Sequence, residues 1–170
     1  FSVPGYKCYR QDRASNPRAV YGGGVLTLVR DGITHSPWPL RTLSSSDPIS
    51  DFLGIKIHLH SRTLSLLNVY SPPLPSRATR FDPSLLPSSP STFIFGDFNA
   101  HHPSWDAQGR PDHLGSDVHS WLLTSSLECL NDPSVHTLLH PSSGARTSPD
   151  LTLVPSTLAP RCVWSTLPDL

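Results

Sequence analysis

Apolar residues along this chain come in short runs separated by polar, proline-rich stretches, a pattern of strands more than of helices. Residues 24–30 (Gly-Val-Leu-Thr-Leu-Val-Arg) follow a triple glycine and predict a buried strand. Residues 52–60 alternate: Ile55, Ile57 and Leu59 share one side, and Lys56, His58 and His60 share the other. After Ser61-Arg62, residues 63–70 predict the return strand of an antiparallel hairpin. Residues 92–97, 151–154 and 161–165 predict three more strands. Helical spacing is confined to 112–130, at Leu114, Val118, Trp121, Leu122 and Ser125, with Asp112 as the cap.

Several of these strands are apolar on both faces, which predicts stacked sheets with helices outside them. Twelve of the nineteen prolines cluster with serine in 36–50, 71–91 and 133–149. Apolar runs bound each cluster, so these predict surface loops of a single domain over 1–170. The length suffices for one core.

Thirteen basic residues balance thirteen acidic ones. A neutral balance argues against tight non-specific binding to nucleic acid, which draws on basic excess. Eleven of the cations are Arg, the better bidentate phosphate ligand. Cys8, Cys129 and Cys162 are far apart and odd in number, which fits small core residues in a reducing compartment and not a disulfide framework. No apolar run approaches a membrane span, so no membrane partner is expected.

The densest chemistry lies in Phe93-Ile94-Phe95-Gly96-Asp97-Phe98-Asn99-Ala100-His101-His102-Pro103-Ser104-Trp105. Alternation in extended chain predicts Asp97 and Asn99 projecting together while Phe98 turns into the core. A carboxylate and an amide so placed can grip a hydrated cation or a phosphate. Taken alone, Gly-Asp-Xaa-Asn fits an ordinary turn equally well.

The continuation Ala-His-His-Pro-Xaa-Trp distinguishes the two. The stretch 96–105 resembles the signature of the endonuclease/exonuclease/phosphatase superfamily. More narrowly, it resembles the apurinic-type endonuclease domain of LINE-type, non-LTR retrotransposon polyproteins. Tyr9-Arg10-Gln11-Asp12-Arg13, Gly22-Gly23-Gly24-Val25, Asn68-Val69-Tyr70-Ser71-Pro72-Pro73 and Ser148-Pro149-Asp150-Leu151-Thr152 resemble further segments of it, in order.

The resemblance implies an α+β fold, the four-layer α/β/β/α sandwich of DNase I-like proteins, here incomplete. It implies metal-dependent hydrolysis of a phosphodiester in DNA with Mg2+ (or Mn2+), a reverse transcriptase domain in the same polyprotein, and a nuclear place of action. By position, Asp97 matches the acid that orients the attacking water, and Asn99 the amide that binds phosphate and nucleophile. Tyr70 matches the phenol on the phosphate, and Asp150 the carboxylate behind a catalytic histidine. His101, His102, Asn68 and Arg13 are the expected substrate-side residues.

Each has a plainer alternative. Tyr70 can be a strand-end aromatic, Asp150 a cap, and His101 with His102 a half-built zinc site, though no second ligand pair stands at a recognisable spacing. Trp105 suits a loop anchor better than a base-stacking platform. Arg10, Arg13, Arg18 and Arg30 with Tyr6, Tyr9 and Tyr21 can line a phosphate edge or be ordinary surface charge.

The family's metal-binding Glu is expected before residue 1, and its Ser-Asp-His after residue 170. The single Glu, Glu128, does not match the first, and Ser116-Asp117-Val118-His119 does not match the second. The expectation is weak cation binding, and little or no cleavage by 1–170 alone. A non-catalytic retroelement remnant or nucleic-acid-binding domain is the alternative. A phosphoinositide- or sphingomyelin-cleaving relative fits the His-His-Pro-Xaa-Trp loop less well.

Overall fold

The computed structural model describes residues 2–12, 23–40, 43, 50–73 and 81–167. Its framework is a mixed sheet in the order β3 (His35–Trp38), β4 (Asp51–His58), β5 (Thr63–Tyr70), β6 (Thr92–Asp97), β10 (Asp150–Pro155) and β7 (Leu127–Cys129). β4 and β5 form the antiparallel hairpin expected from their alternation, and β5 then runs parallel to β6. A two-stranded sheet of β1 (Tyr6–Gln11) and β2 (Val25–Arg30) lies over β4 and β5. A short ribbon pairs β8 (Leu138–Leu139) with β9 (Arg146–Thr147).

The strand period divides the central sheet cleanly. Ser65, Leu67 and Val69 of β5, Thr92 and Ile94 of β6, and Leu151 and Leu153 of β10 are buried on one face. That face packs against helix α1 (His113–Thr124), which presents Leu114 and Val118 to it. Phe52, Phe81 and Phe98 add a ladder of tilted rings with centroids 5.7 and 6.3 Å apart. The opposite face meets the smaller sheet, where the Asn68 amide donates to Leu26 O and Thr27 Oγ1. Among the described residues, then, one helix and two stacked sheets make up an α+β architecture.

Asp112 caps α1 as expected, its Oδ1 accepting from Gly115 N at 2.6 Å. The helix is shorter than its spacing predicts. It stops at Thr124, and Leu127–Cys129 becomes edge strand β7 on β10. Ser125 turns the chain by accepting from Leu127 N on its hydroxyl, and the open edge of β10 takes the apolar residues that follow. The strand expected at 161–165 is absent. A 3-10 turn, Ala159–Arg161, leads instead into irregular chain.

Strands β1 and β3 lack an apolar alternation and were not expected. β3 carries Pro37 on a sheet edge, where a missing N–H is tolerated. β2 is half-buried and not fully buried, with Leu26 and Leu28 outward. The three cysteines are all partly exposed, and of them Cys129 packs against the core as expected. Burial pushes the Cys129 thiol up to about 11. No described helix is long and apolar enough to cross a membrane.

Candidate functional site

The end of β6 sets the site. Asp97 is in register with Tyr70 of β5 on one side and Asp150 of β10 on the other. Tyr70 is in turn in register with Asp51 of β4. Neighbouring strands lie roughly 4.8 Å apart and paired residues share a face. Asp51, Tyr70, Asp97 and Asp150 therefore form one transverse row at the rim of the sheet, on the side of the smaller sheet.

Two local features hold Asp97 there. Gly96 lets β6 press against β5, since a Cβ at this position would come within 1.9 Å of Val69 O, and its φ of +140° suits glycine. The flanking strands keep pairing past the acid: Ser71 N donates to Asp97 O, and Phe98 N to Pro149 O. Phe98 is fully buried, as the alternation predicts.

The alternation ends one residue later. Asn99 has a φ of +46°, so it leaves the strand in the left-handed region. Its N–H donates to Asp97 Oδ1 at 3.0 Å and its Nδ2 to Ser71 O at 2.8 Å. A tight turn, not extended chain, brings Asn99 beside Asp97. Both side chains remain partly exposed.

Burial raises the Asp97 carboxyl above its ordinary range, and the neighbouring Asp150 charge adds to this. The Asn99 N–H and His101 pull the other way. Asp150 is itself held, its Oδ2 accepting from Thr137 Oγ1 at 2.6 Å. Asn131 clamps the same strand, donating from Nδ2 to Asp150 O and accepting from Thr152 N. Thr137 and Asn131 escaped sequence reading, because nothing in their local pattern separates them from ordinary loop residues.

A cleft of about 160 Å³ opens next to Asn99, with Ser71, Pro72, His101, Asp112 and Leu114 also in its walls; none of the four row residues lines it. The α1 N-terminus is seated on this wall: Asp112 N donates to His101 O, and a Cβ on Gly115 would lie 2.0 Å from that oxygen.

The remaining expected residues are dispersed. His101 lines the cleft. His102 faces away from it in its contacts, stacking on His119 of α1 at 4.0 Å and tilting against Trp105. Burial, then the His119 charge, lowers its titration range. The Asn68 amide is engaged with β2, and Arg13 lies outside the described residues, as do Arg18 and Tyr21. Trp105 is fully buried and donates from Nε1 to Ala100 O, the anchor of its loop. Among the described residues no group of three His, Cys, Asp or Glu stands together as a set that could hold a metal ion. Glu128 pairs with Val154, four residues along β10 from Asp150, or roughly 13 Å at strand rise. Asp117 and His119 lie within α1.

No curated protein sequence matches the chain. The endonuclease domain of TRAS1, a telomere-specific non-LTR retrotransposon, has a similar structure, with a TM-score of 0.65 at 14% identity. The match covers 92% of this chain and 68% of that one, and it shows the DNase I-like fold. A family profile described as endonuclease-reverse transcriptase matches residues 64–170, which include all of β5 but its first residue, the signature turn and β10. On that match over more than half its length, the chain belongs to the endonuclease-reverse transcriptase family.

Proposed function

We infer that this domain hydrolyses phosphodiester bonds in DNA, as the nicking endonuclease of a non-LTR retrotransposon protein. The observation that carries this reading is the register of Tyr70, Asp97 and Asp150 across three adjacent strands. A reverse transcriptase domain in the same polyprotein and action in the nucleus belong to the same reading.

Asp97 is the residue that orients and deprotonates the attacking water. Its raised affinity for a proton makes it a better base than an ordinary carboxylate. The Asn99 N–H fixes one carboxylate oxygen, leaving the other for the water. The Asn99 side chain, steadied by Ser71 O, offers its remaining amide hydrogen and its oxygen to phosphate and nucleophile. The Tyr70 hydroxyl binds a phosphate oxygen. Asp150, held by Thr137, keeps a histidine in the tautomer that faces the phosphate.

Two adjacent carboxylates, one raised by burial and further by the charge of the other, are hard oxygen donors suited to Mg2+ (or Mn2+) that retains much of its water. When bound, that cation neutralises charge building on the phosphate and the leaving oxygen. With only this row to hold it, residues 1–170 bind it weakly and by themselves cleave slowly or not at all. The distance of Glu128 from the row favours, as a second reading, a domain that binds DNA without cutting it.

Plasmid nicking by 1–170 with Mg2+ tests both. Little nicking beside measurable duplex binding that weakens in Asp97→Ala is the expected result. Robust nicking lost in Asp97→Ala would contradict the expected silence of 1–170. Neither binding nor nicking would contradict the function.

A further inference from the structure

Asp106 is the most deeply buried acid among the described residues, with its side chain 1% exposed. It follows Trp105 in the signature loop, outside the row. The hydrogen bond described for its carboxylate comes from Ser148 N to Oδ2, long at 3.3 Å, and Oδ1 has no described partner. A carboxylate buried with so few partners is unfavourable unless its surroundings offset the loss of water.

Two imidazoles face it. His101 Nδ1 is 3.8 Å from Oδ2, and His136 Nδ1 is 3.9 Å from Oδ1. His136 Nδ1 is itself buried without a described partner. A carboxylate only accepts, so an N–H at Nδ1 is the tautomer of each ring that faces these oxygens favourably, across separations longer than a hydrogen bond.

These contacts come from three segments that carry the site. His101 lines the cleft beside Asn99. His136 precedes Thr137, which bonds Asp150. Ser148 precedes Pro149, whose carbonyl accepts from Phe98 N. Gly109 leaves room for the carboxylate, since a Cβ there would lie 2.8 Å from Asp106 Cγ and Oδ2.

We propose that Asp106 is a positioning residue that holds His101 and His136 with Nδ1–H turned inward, so that His101 presents Nε2 to the cleft beside Asn99. What Nε2 meets there, a phosphate or its attacking water, rests on the function proposed above. The tautomers do not.

Long-range 1H–15N spectra of the histidines in the full chain test this. His101 and His136 should both carry a proton on Nδ1. In Asp106→Asn the amide accepts at one end only, so at least one of the two loses its Nδ1–H while His140 is unchanged. A bare Nδ1 on His101 in the wild type overturns the proposal, and needs no variant to fold. A short DNA duplex should then shift His101 Nε2. Shifts around Asp97 that spare His101 overturn the proposal. No shifts anywhere overturn the DNA reading, and the tautomers then decide the role of Asp106.

Discussion

Asp97 and Asp150 stand opposite one another across an antiparallel strand pair, two carboxylates where a sheet ordinarily avoids like charges. Their repulsion adds to burial in raising the Asp97 carboxyl. Such an arrangement opposes folding, so its presence at the rim argues for a role in chemistry.

Asp97→Asn should therefore stabilise the fold while removing function. A carboxyl raised on folding binds more protons in the native state, so stability falls as pH rises through the window above its ordinary range. The variant lacks that penalty. Thermal unfolding should show it more stable than wild type at pH 7, with the gap closing as pH drops below the ordinary carboxylate range. A less stable Asp97→Asn at pH 7 would contradict this electrostatic account.

Asn99 combines a left-handed backbone with a side-chain bond to Ser71 O. Asn99→Ala loses both the tolerance for that conformation and the bond, at a cost of about 2–3 kcal/mol in urea unfolding. Asn99→Gly keeps the conformation and should cost less. Equal losses would mean that the backbone is unstrained here.

Gly115→Ala runs against helix propensity, which favours alanine by about 1 kcal/mol. An added Cβ would strike His101 O, so the variant should be destabilised instead, and duplex binding should weaken as the His101 loop shifts. A stabilised Gly115→Ala would show that α1 can move off this wall.

Asp112→Ala removes the bond to Gly115 N, and the cap is worth about 1 kcal/mol. It also frees the segment that binds His101 O. Amide exchange should quicken at Gly115 and at His101 together. Faster exchange at Gly115 alone would uncouple the helix from the loop.

The parts legible beforehand were those with local signals. Ile55 and Ile57 alternate with Lys56 and His58, and the β4–β5 hairpin follows. Gly96 to Trp105 marks the turn at the end of β6, and Asp112 marks the helix start. Partner-dependent features were hidden. β1 and β3 are strands because β2 and β4 offer edges to them. Leu127–Cys129 continues a helical spacing, yet the edge of β10 claims it. Asn99 belongs to a turn that alternation does not describe. Asn131, Thr137, Asp106 and His136 meet the site only through contacts made far along the chain.

The central claim is that the rim row is where a phosphodiester is cut. Its most direct test is magnesium-dependent nicking of supercoiled plasmid by the protein that contains residues 1–170 together with the rest of its reading frame. Wild type should nick, and Asp97→Asn and Tyr70→Phe, both folded, should lose most of that rate, roughly 100-fold or more for Asp97→Asn. Nicking that persists at the wild-type rate in Asp97→Asn would contradict the account.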